Sequence, residues 1–234
     1  MPAIETILAD LTNNLSPAAV RFDDGPPLEA RLAVLPSAFN PPTIAHLALL
    51  EAARQLPGIE SAAALLTTRN VDKGLTGASF ADRIGMLLAV HEHHRWLSVV
   101  ATNQARIIDQ EAALASHFPG IEFDFVVGYD TLVRLFDARY YTAMHDELGP
   151  FFDRARIIAL NRGEADIVAV KSFIDEQAAP FASRIVIAEL DAHPASLSST
   201  LARDAIRDGE STAIVPPAIA RYIETHNLYR DAKG

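Results

Sequence analysis

The chain has 234 residues, half of them apolar, a formal net charge of −10 and no cysteine. That length suits one globular α/β-sized unit whose core needs neither disulfide nor structural metal, and the missing cysteines exclude a disulfide scaffold, a Cys-ligated zinc site and thiol catalysis. The acidic balance argues against nonspecific binding to nucleic acid or to an anionic membrane, so an anionic substrate would need local cations and backbone N–H donors.

The opening "MPAIETILADL" lacks a basic start and carries Glu5 and Asp10, so it does not read as a secretory signal. No apolar run approaches the length of a membrane span, and a soluble cytoplasmic protein is the expectation. Ile4, Ile7, Leu8 and Leu11 have helical spacing, and "FDDGPPLEA" after them reads as a loop, so residues 1–30 are expected to be a helix and a loop.

From there apolar runs alternate with helical patterns. "RLAVLPSA" (31–38) reads as a buried strand, "TIAHLALLEAARQL" (43–56) as a helix stopped by Pro57-Gly58, and "SAAALLT" (61–67) as a strand despite its alanines. "SFADRIGMLLAVHEHH" (79–94) reads as a helix capped by Ser79. "WLSVVAT" (96–102), "FDFVVGYD" (123–130, into a glycine turn), "ARIIALNR" (155–162) and "RIVIAELD" (184–191) read as strands, with helices at 105–118 and about 166–179. This alternation predicts an α/β fold, a Rossmann-like, mostly parallel open sheet with helices on both faces, over residues 31–195. "SLSSTLARDAIRDG" and "PPAIARYIETHNLY" then predict a small helical C-terminal subdomain over 196–234. In such sheets ligands bind just beyond the carboxyl ends of the strands.

Two strand-to-helix junctions carry chemistry. In "SAFNPPTIAH" (Ser37 to His46) the prolines end a strand and aim a helix start, and Thr43 and His46 share the first turn. Free N–H groups there favour an anion, although a threonine cap and a core histidine would fit the same letters. In "LSSTLAR" (Leu197 to Arg203) Ser198, Ser199 and Thr200 open a helix and Arg203 follows one turn later, a second anion cradle or a redundant cap beside a solvated arginine. "HEHH" (91–94) sits at a helix end and reads as solvated rather than metal-binding. No Gly-x-x-x-x-Gly-Lys or Gly-x-Gly-x-x-Gly pattern occurs, which argues against kinase-like and dehydrogenase chemistry.

In this order the segments resemble the nucleotidyltransferase superfamily with an HxGH-type motif, and within it the nicotinamide or nicotinate mononucleotide adenylyltransferases, as a divergent branch. Ser37 to His46 is similar to that family's Gly-Ser-Phe-Asn-Pro-Pro-Thr-x-Gly-His pattern and Leu197 to Arg203 to its Ile-Ser-Ser-Thr-x-x-Arg pattern. "FVVGYDTL" (125–132), "RIIALNRG" (156–163), "DKGL" (72–75) and "AIVPPAIARYIETHNLY" (213–229) also resemble its segments, so the likeness runs from about Arg31 to Tyr229.

The resemblance implies an enzyme that moves AMP from ATP to the 5′-phosphate of a mononucleotide, releasing pyrophosphate, with no covalent intermediate. It implies that His46 stabilises the transition state, with Thr43 in the place of a first histidine and Arg203 on the β- and γ-phosphates. Ser37, Ala38, Phe39, Asn40, Ser198, Ser199 and Thr200 would complete the ATP site. Lys73, Gly128, Asp130, Tyr140, Asn161 and Arg162 would serve the mononucleotide, with Lys73 otherwise a solvated lysine and Asp130 otherwise a turn residue. Mg²⁺ would travel with ATP rather than sit in a protein cage.

The chain departs from the pattern at Ser37 and Ala45, which stand where the family keeps glycine, and it lacks a tryptophan after Gly-x-Asp, leaving Tyr140 or Tyr141 to stack on the base. Transfer to another phosphorylated acceptor, with CTP as a second donor choice, and a nucleotide-binding regulator without turnover are the alternatives. Oligomeric state is left open.

Overall fold

The structure, a computed structural model, describes residues 3–28, 30–69, 77–161, 165–191, 194, 196–210 and 213–230. In chain order the described elements begin with α1 (Ile4–Asn13), β1 (Ala19–Arg21), β2 (Arg31–Pro36), α2 (Ile44–Arg54), β3 (Ser61–Thr67), α3 (Phe80–His91) and β4 (Leu97–Thr102). There follow α4 (Ile107–His117), β5 (Glu122–Gly128), α5 (Tyr129–Leu135), α6 (Met144–Arg154), β6 (Arg156–Leu160), α7 (Ile167–Gln177) and β7 (Ile185–Ala188). Two further helices, which we number α8 (Ser199–Arg207) and α9 (Pro217–Thr225), close the chain.

The strands form one sheet in the order β1-β4-β3-β2-β5-β6-β7, parallel throughout except for β1, which runs antiparallel to β4. The chain builds outward from β2 to β4, then crosses back to lay β5 on the other side of β2. That reversal opens a crevice beyond the carboxyl ends of β2 and β5, where an open parallel sheet binds ligands.

Strand periodicity divides the core. Ala33, Leu35, Ala62, Ala64 and Leu66 face α2, α3, α8 and α9, whereas Leu32, Val34, Ala63, Leu65, Phe123 and Phe125 face α4 to α7. The alanines of β3 are fully buried on both sides. Strand propensity matters little there, because β3 is paired on both edges, with β2 and β4.

Three features differ from the sequence reading. Residues 1–30, expected as a helix and a loop, also supply β1, a three-residue edge strand, while Leu8 and Leu11 of α1 pack into the same core as α3. β5 ends at Gly128 rather than in a glycine turn through Asp130. Gly128 has φ −79°, which any residue can adopt, and it caps α5, in which Tyr129 and Asp130 form the first turn. α6 lies in a stretch to which the sequence reading assigned no element, and it carries Pro150 inside the helix. It holds together by burying Leu148, Phe151 and Phe152.

At the amino ends of the strands, Asp124 of β5 is completely buried and accepts from Arg156 (2.8 and 2.6 Å) and from Arg31 (3.0 Å). Arg31 also pairs with Glu122. These ion pairs tie together the neighbouring strands β2, β5 and β6.

Candidate active site

The first junction leaves β2 at Pro36 and turns sharply. Phe39 takes a left-handed φ of 46°, the Asn40–Pro41 peptide is cis, and Thr43 in extended backbone caps α2. Phe39 is buried, with its ring 5.0 Å from that of His46. Asn40 is clamped from two directions: its Oδ1 accepts from the Ala78 N–H (3.2 Å) and from the Tyr229 hydroxyl (2.8 Å). Gly77 permits this approach, since a Cβ there would come within 2.7 Å of Asn40 Oδ1. Burial pushes the Tyr229 phenol well above its ordinary range, so it stays a donor.

His46 is 2% exposed and Thr43 is fully buried. The Thr43 N–H donates to His46 Nδ1 at 3.0 Å. A nitrogen that accepts a hydrogen bond carries no proton, so the ring proton is on Nε2. Thr43 Oγ1 lies 2.8 Å from the same Nδ1, and Nε2 faces Ser37 Oγ at 3.0 Å. The fold thus fixes the tautomer and presents one N–H, shared with a hydroxyl, toward the crevice. Ser37, standing where the family pattern has glycine, is in direct contact with the histidine.

The second junction is brought to the first. The Ser199 hydroxyl donates to the Pro41 carbonyl (2.8 Å), and Arg203 Nη1 donates to the Asn40 carbonyl (2.6 Å) while Nη2 donates to Thr200 Oγ1 (3.1 Å). Ser198 accepts from the Leu201 N–H, an ordinary helix cap. The Ile44 N–H donates to the Ile214 carbonyl (3.0 Å). Two segments about 160 residues apart therefore share one loop.

Arg83 is a site residue the sequence reading missed. It is 3% exposed, and it donates to the Ala78 carbonyl (3.0 Å) and the Ala38 carbonyl (3.3 Å). Burial, together with the neighbouring Arg203 charge, holds its guanidinium below the ordinary arginine range. The signal was present in the sequence: Phe80, Arg83, Ile84 and Leu87 have helical spacing, so an arginine lies on an apolar stripe.

Beside this loop a cavity of about 350 Å³ opens between the ends of β2 and β3, α4, α5 and the turn at 138–141. Pro36, Ser37 and Ala38 form one end; Arg106, Arg134, Tyr140 and Tyr141 also line it. Arg106 is held by Asp109 (2.7 and 3.0 Å) and Glu147 (2.8 Å), and it donates to the Tyr140 carbonyl (3.3 Å). Tyr141 donates to the Leu135 carbonyl (2.6 Å), and burial pushes its phenol up to about 12.

The other expected residues divide. Gly128 is buried at the end of β5 and Asp130 is exposed in the first turn of α5. Both polar atoms of the Asn161 side chain are taken by Leu190, donating to its carbonyl (2.9 Å) and accepting from its N–H (2.6 Å). Lys73 and Arg162 lie outside the described residues.

Comparison with known proteins gives the following. A family model described as cytidylyltransferase-like matches residues 34–205. A Schizosaccharomyces pombe protein named "Putative nicotinamide mononucleotide adenylyltransferase" is 30% identical over 71% of this chain and 74% of its own length. A Synechococcus protein named "Probable nicotinate-nucleotide adenylyltransferase" is 30% identical over 88% of this chain and 97% of its own. Among solved structures, the Plasmodium falciparum nicotinic acid mononucleotide adenylyltransferase complexed with APC superposes with a TM-score of 0.64, covering 85% of this chain and 96% of that one. At 17% identity that likeness is one of fold.

Proposed function

The chain belongs to the cytidylyltransferase-like family, and from that premise we propose that it adenylylates nicotinamide or nicotinate mononucleotide. The 5′-phosphate oxygen of the mononucleotide attacks the α-phosphorus of ATP in line, the P–O bond to the β-phosphate breaks, and pyrophosphate leaves. The observation that carries this reading is the fixed Nε2–H of His46, held against Ser37 of the cavity wall, with Ser199 and Arg203 gathered on the same loop.

The residues then have separate tasks. His46 donates from Nε2 to an α-phosphate oxygen as charge builds on it, replacing its contact with Ser37. Thr43 keeps the ring in that tautomer through its N–H. Arg203, Ser199 and Thr200 exchange part of their present bonds for β- and γ-phosphate oxygens, aided by the first N–H groups of α8. Ser37 to Asn40 carry the nucleotide along the loop. The acceptor base enters the cavity against Tyr140. Catalysis rests on positioning and on donors already aimed at the developing charge.

Among the described residues no group of three or more histidines and acids could hold a metal ion. Their donor set does not fit a protein cage, and Mg²⁺ would arrive on the ATP phosphates with its own waters. No helix among the described residues is long and apolar enough to cross a membrane.

The test is incubation with ATP and each mononucleotide, reading pyrophosphate and the dinucleotide together. Both products in equal amounts are expected. Pyrophosphate release only with CTP, or only with a phosphorylated pantetheine, flavin or sugar, would replace this reading.

A further inference from the structure

The cavity wall is chemically lopsided. In a chain with 30 acidic and 20 basic residues, the described residues of the wall include two arginines and no carboxylate. Arg106 is already neutralised by Asp109 and Glu147. Arg134 is different: it is exposed, and among the described residues its guanidinium meets no carboxylate and no carbonyl.

The carbonyl acceptors around that part of the cavity are occupied, whereas the Thr131 and Tyr140 hydroxyls on the wall are open. The Leu135 carbonyl accepts from Tyr141 and the Tyr140 carbonyl from Arg106. The Gln104 carbonyl accepts from Thr67 and Gln110, and the Ala105 carbonyl from Gln110. Gln110 Oε1 has no donor among the described residues, but it is sealed from solvent and cannot meet a ligand in the open cavity. A carboxamide N–H₂ entering here meets only neutral hydroxyl acceptors, whereas a carboxylate finds a five-donor cation and gains a charge-assisted bond.

Position separates the two anionic ends of the acceptor. α5 starts beside the switch point and runs outward, so Thr131 lies nearer the strand ends while Arg134 and Leu135 lie one turn farther out on the same side of the cavity. The reacting phosphate belongs near Ser37 and His46, and the base belongs beyond it, toward Arg134 and Tyr140.

We propose that Arg134 determines acceptor choice by pairing with a carboxylate on the pyridine ring, so the preferred substrate is nicotinate rather than nicotinamide mononucleotide. This rests on the adenylyl-transfer reading above.

The experiment measures kcat/KM for both mononucleotides, and their binding by calorimetry without ATP, in the wild type, Arg134→Gln and Arg134→Lys. The wild type should favour the acid. Arg134→Gln should lower the acid-to-amide ratio of kcat/KM roughly two- to fivefold, as expected for an exposed guanidinium–carboxylate pair. The change should fall on KM for the acid, and Arg134→Lys should restore part of it. An unchanged ratio, with both substrates weakened together or neither affected, overturns the role of Arg134 and leaves adenylyl transfer standing. Tighter binding of the acid that depends on Arg134, without any dinucleotide formed, overturns adenylyl transfer and leaves the recognition standing. Failure to bind or convert either mononucleotide overturns both.

Discussion

The two ends of the sheet differ in how fully their arginines are matched to carboxylates. At the amino ends, Arg31 and Arg156 converge on the buried carboxylate of Asp124. At the carboxyl ends Arg106 is also carboxylate-matched, by Asp109 and Glu147, but Arg203 holds a carbonyl and a hydroxyl, and Arg134 holds nothing charged among the described residues. A guanidinium matched to a carboxylate serves cohesion. One resting on neutral oxygens keeps its charge for an incoming anion, because exchanging a neutral acceptor for a phosphate strengthens the bond. The same residue type is matched to a buried carboxylate at one end of the fold and, at Arg203, to neutral oxygens at the other, where the proposed function would use its charge.

The contrast can be tested by measuring stability and activity on the same variants. His46→Ala should lower kcat about 10²- to 10³-fold by removing a donor to the transition state, with thermal unfolding still cooperative; turnover within a few-fold of wild type would remove His46 from the chemistry. Asp124→Asn should cost about 3 kcal/mol in urea unfolding, since two arginines lose a buried partner, while kcat of the folded protein stays within about twofold. Loss of activity without loss of stability there would erase the division between the two ends. Arg203→Ala should reverse that pattern, with kcat/KM for ATP falling about 10- to 100-fold and stability changing little.

The smallest effect concerns pH and a third matched pair. Burial raises the Asp23 carboxyl, but bonds from Arg21 and from the N–H groups of Val99 and Gly25 outweigh it and hold it below its ordinary 3.8. A depressed carboxyl stabilises the fold above its unfolded value and stops doing so as pH falls through the folded one. The stability gap between wild type and Asp23→Asn should therefore be widest near neutrality and narrow below pH ~3.8. A gap independent of pH would mean that Asp23 acts through packing alone.

Much of the fold was legible because β2 to β6 are buried apolar runs, and β7 a half-buried one, separated by helical spacing, the strongest local signal a sequence carries. β1 escaped because three residues at an antiparallel edge have no periodicity to read. α6 went unassigned: it holds a proline, and its apolar face of Leu148, Phe151 and Phe152 is rewarded only in the assembled core. The two cradles were legible as motifs, but their meeting was not: nothing near Ser199 announces that its hydroxyl will reach Pro41. Arg83 and Tyr229 belong to the same category. Each acts through a partner distant in the chain, and such contacts are set by topology rather than by neighbours.

The clamp on Asn40 and Pro41 also sets a timetable. Their partners follow 158, 163 and 189 residues later, at Ser199, Arg203 and Tyr229. On a ribosome the sheet strands emerge and can pair before any of these arrives. The loop is thus fastened only after the strands that display it have been made, and a nascent chain ending before α8 would carry the crevice without the bonds that Ser199, Arg203 and Tyr229 make to its rim.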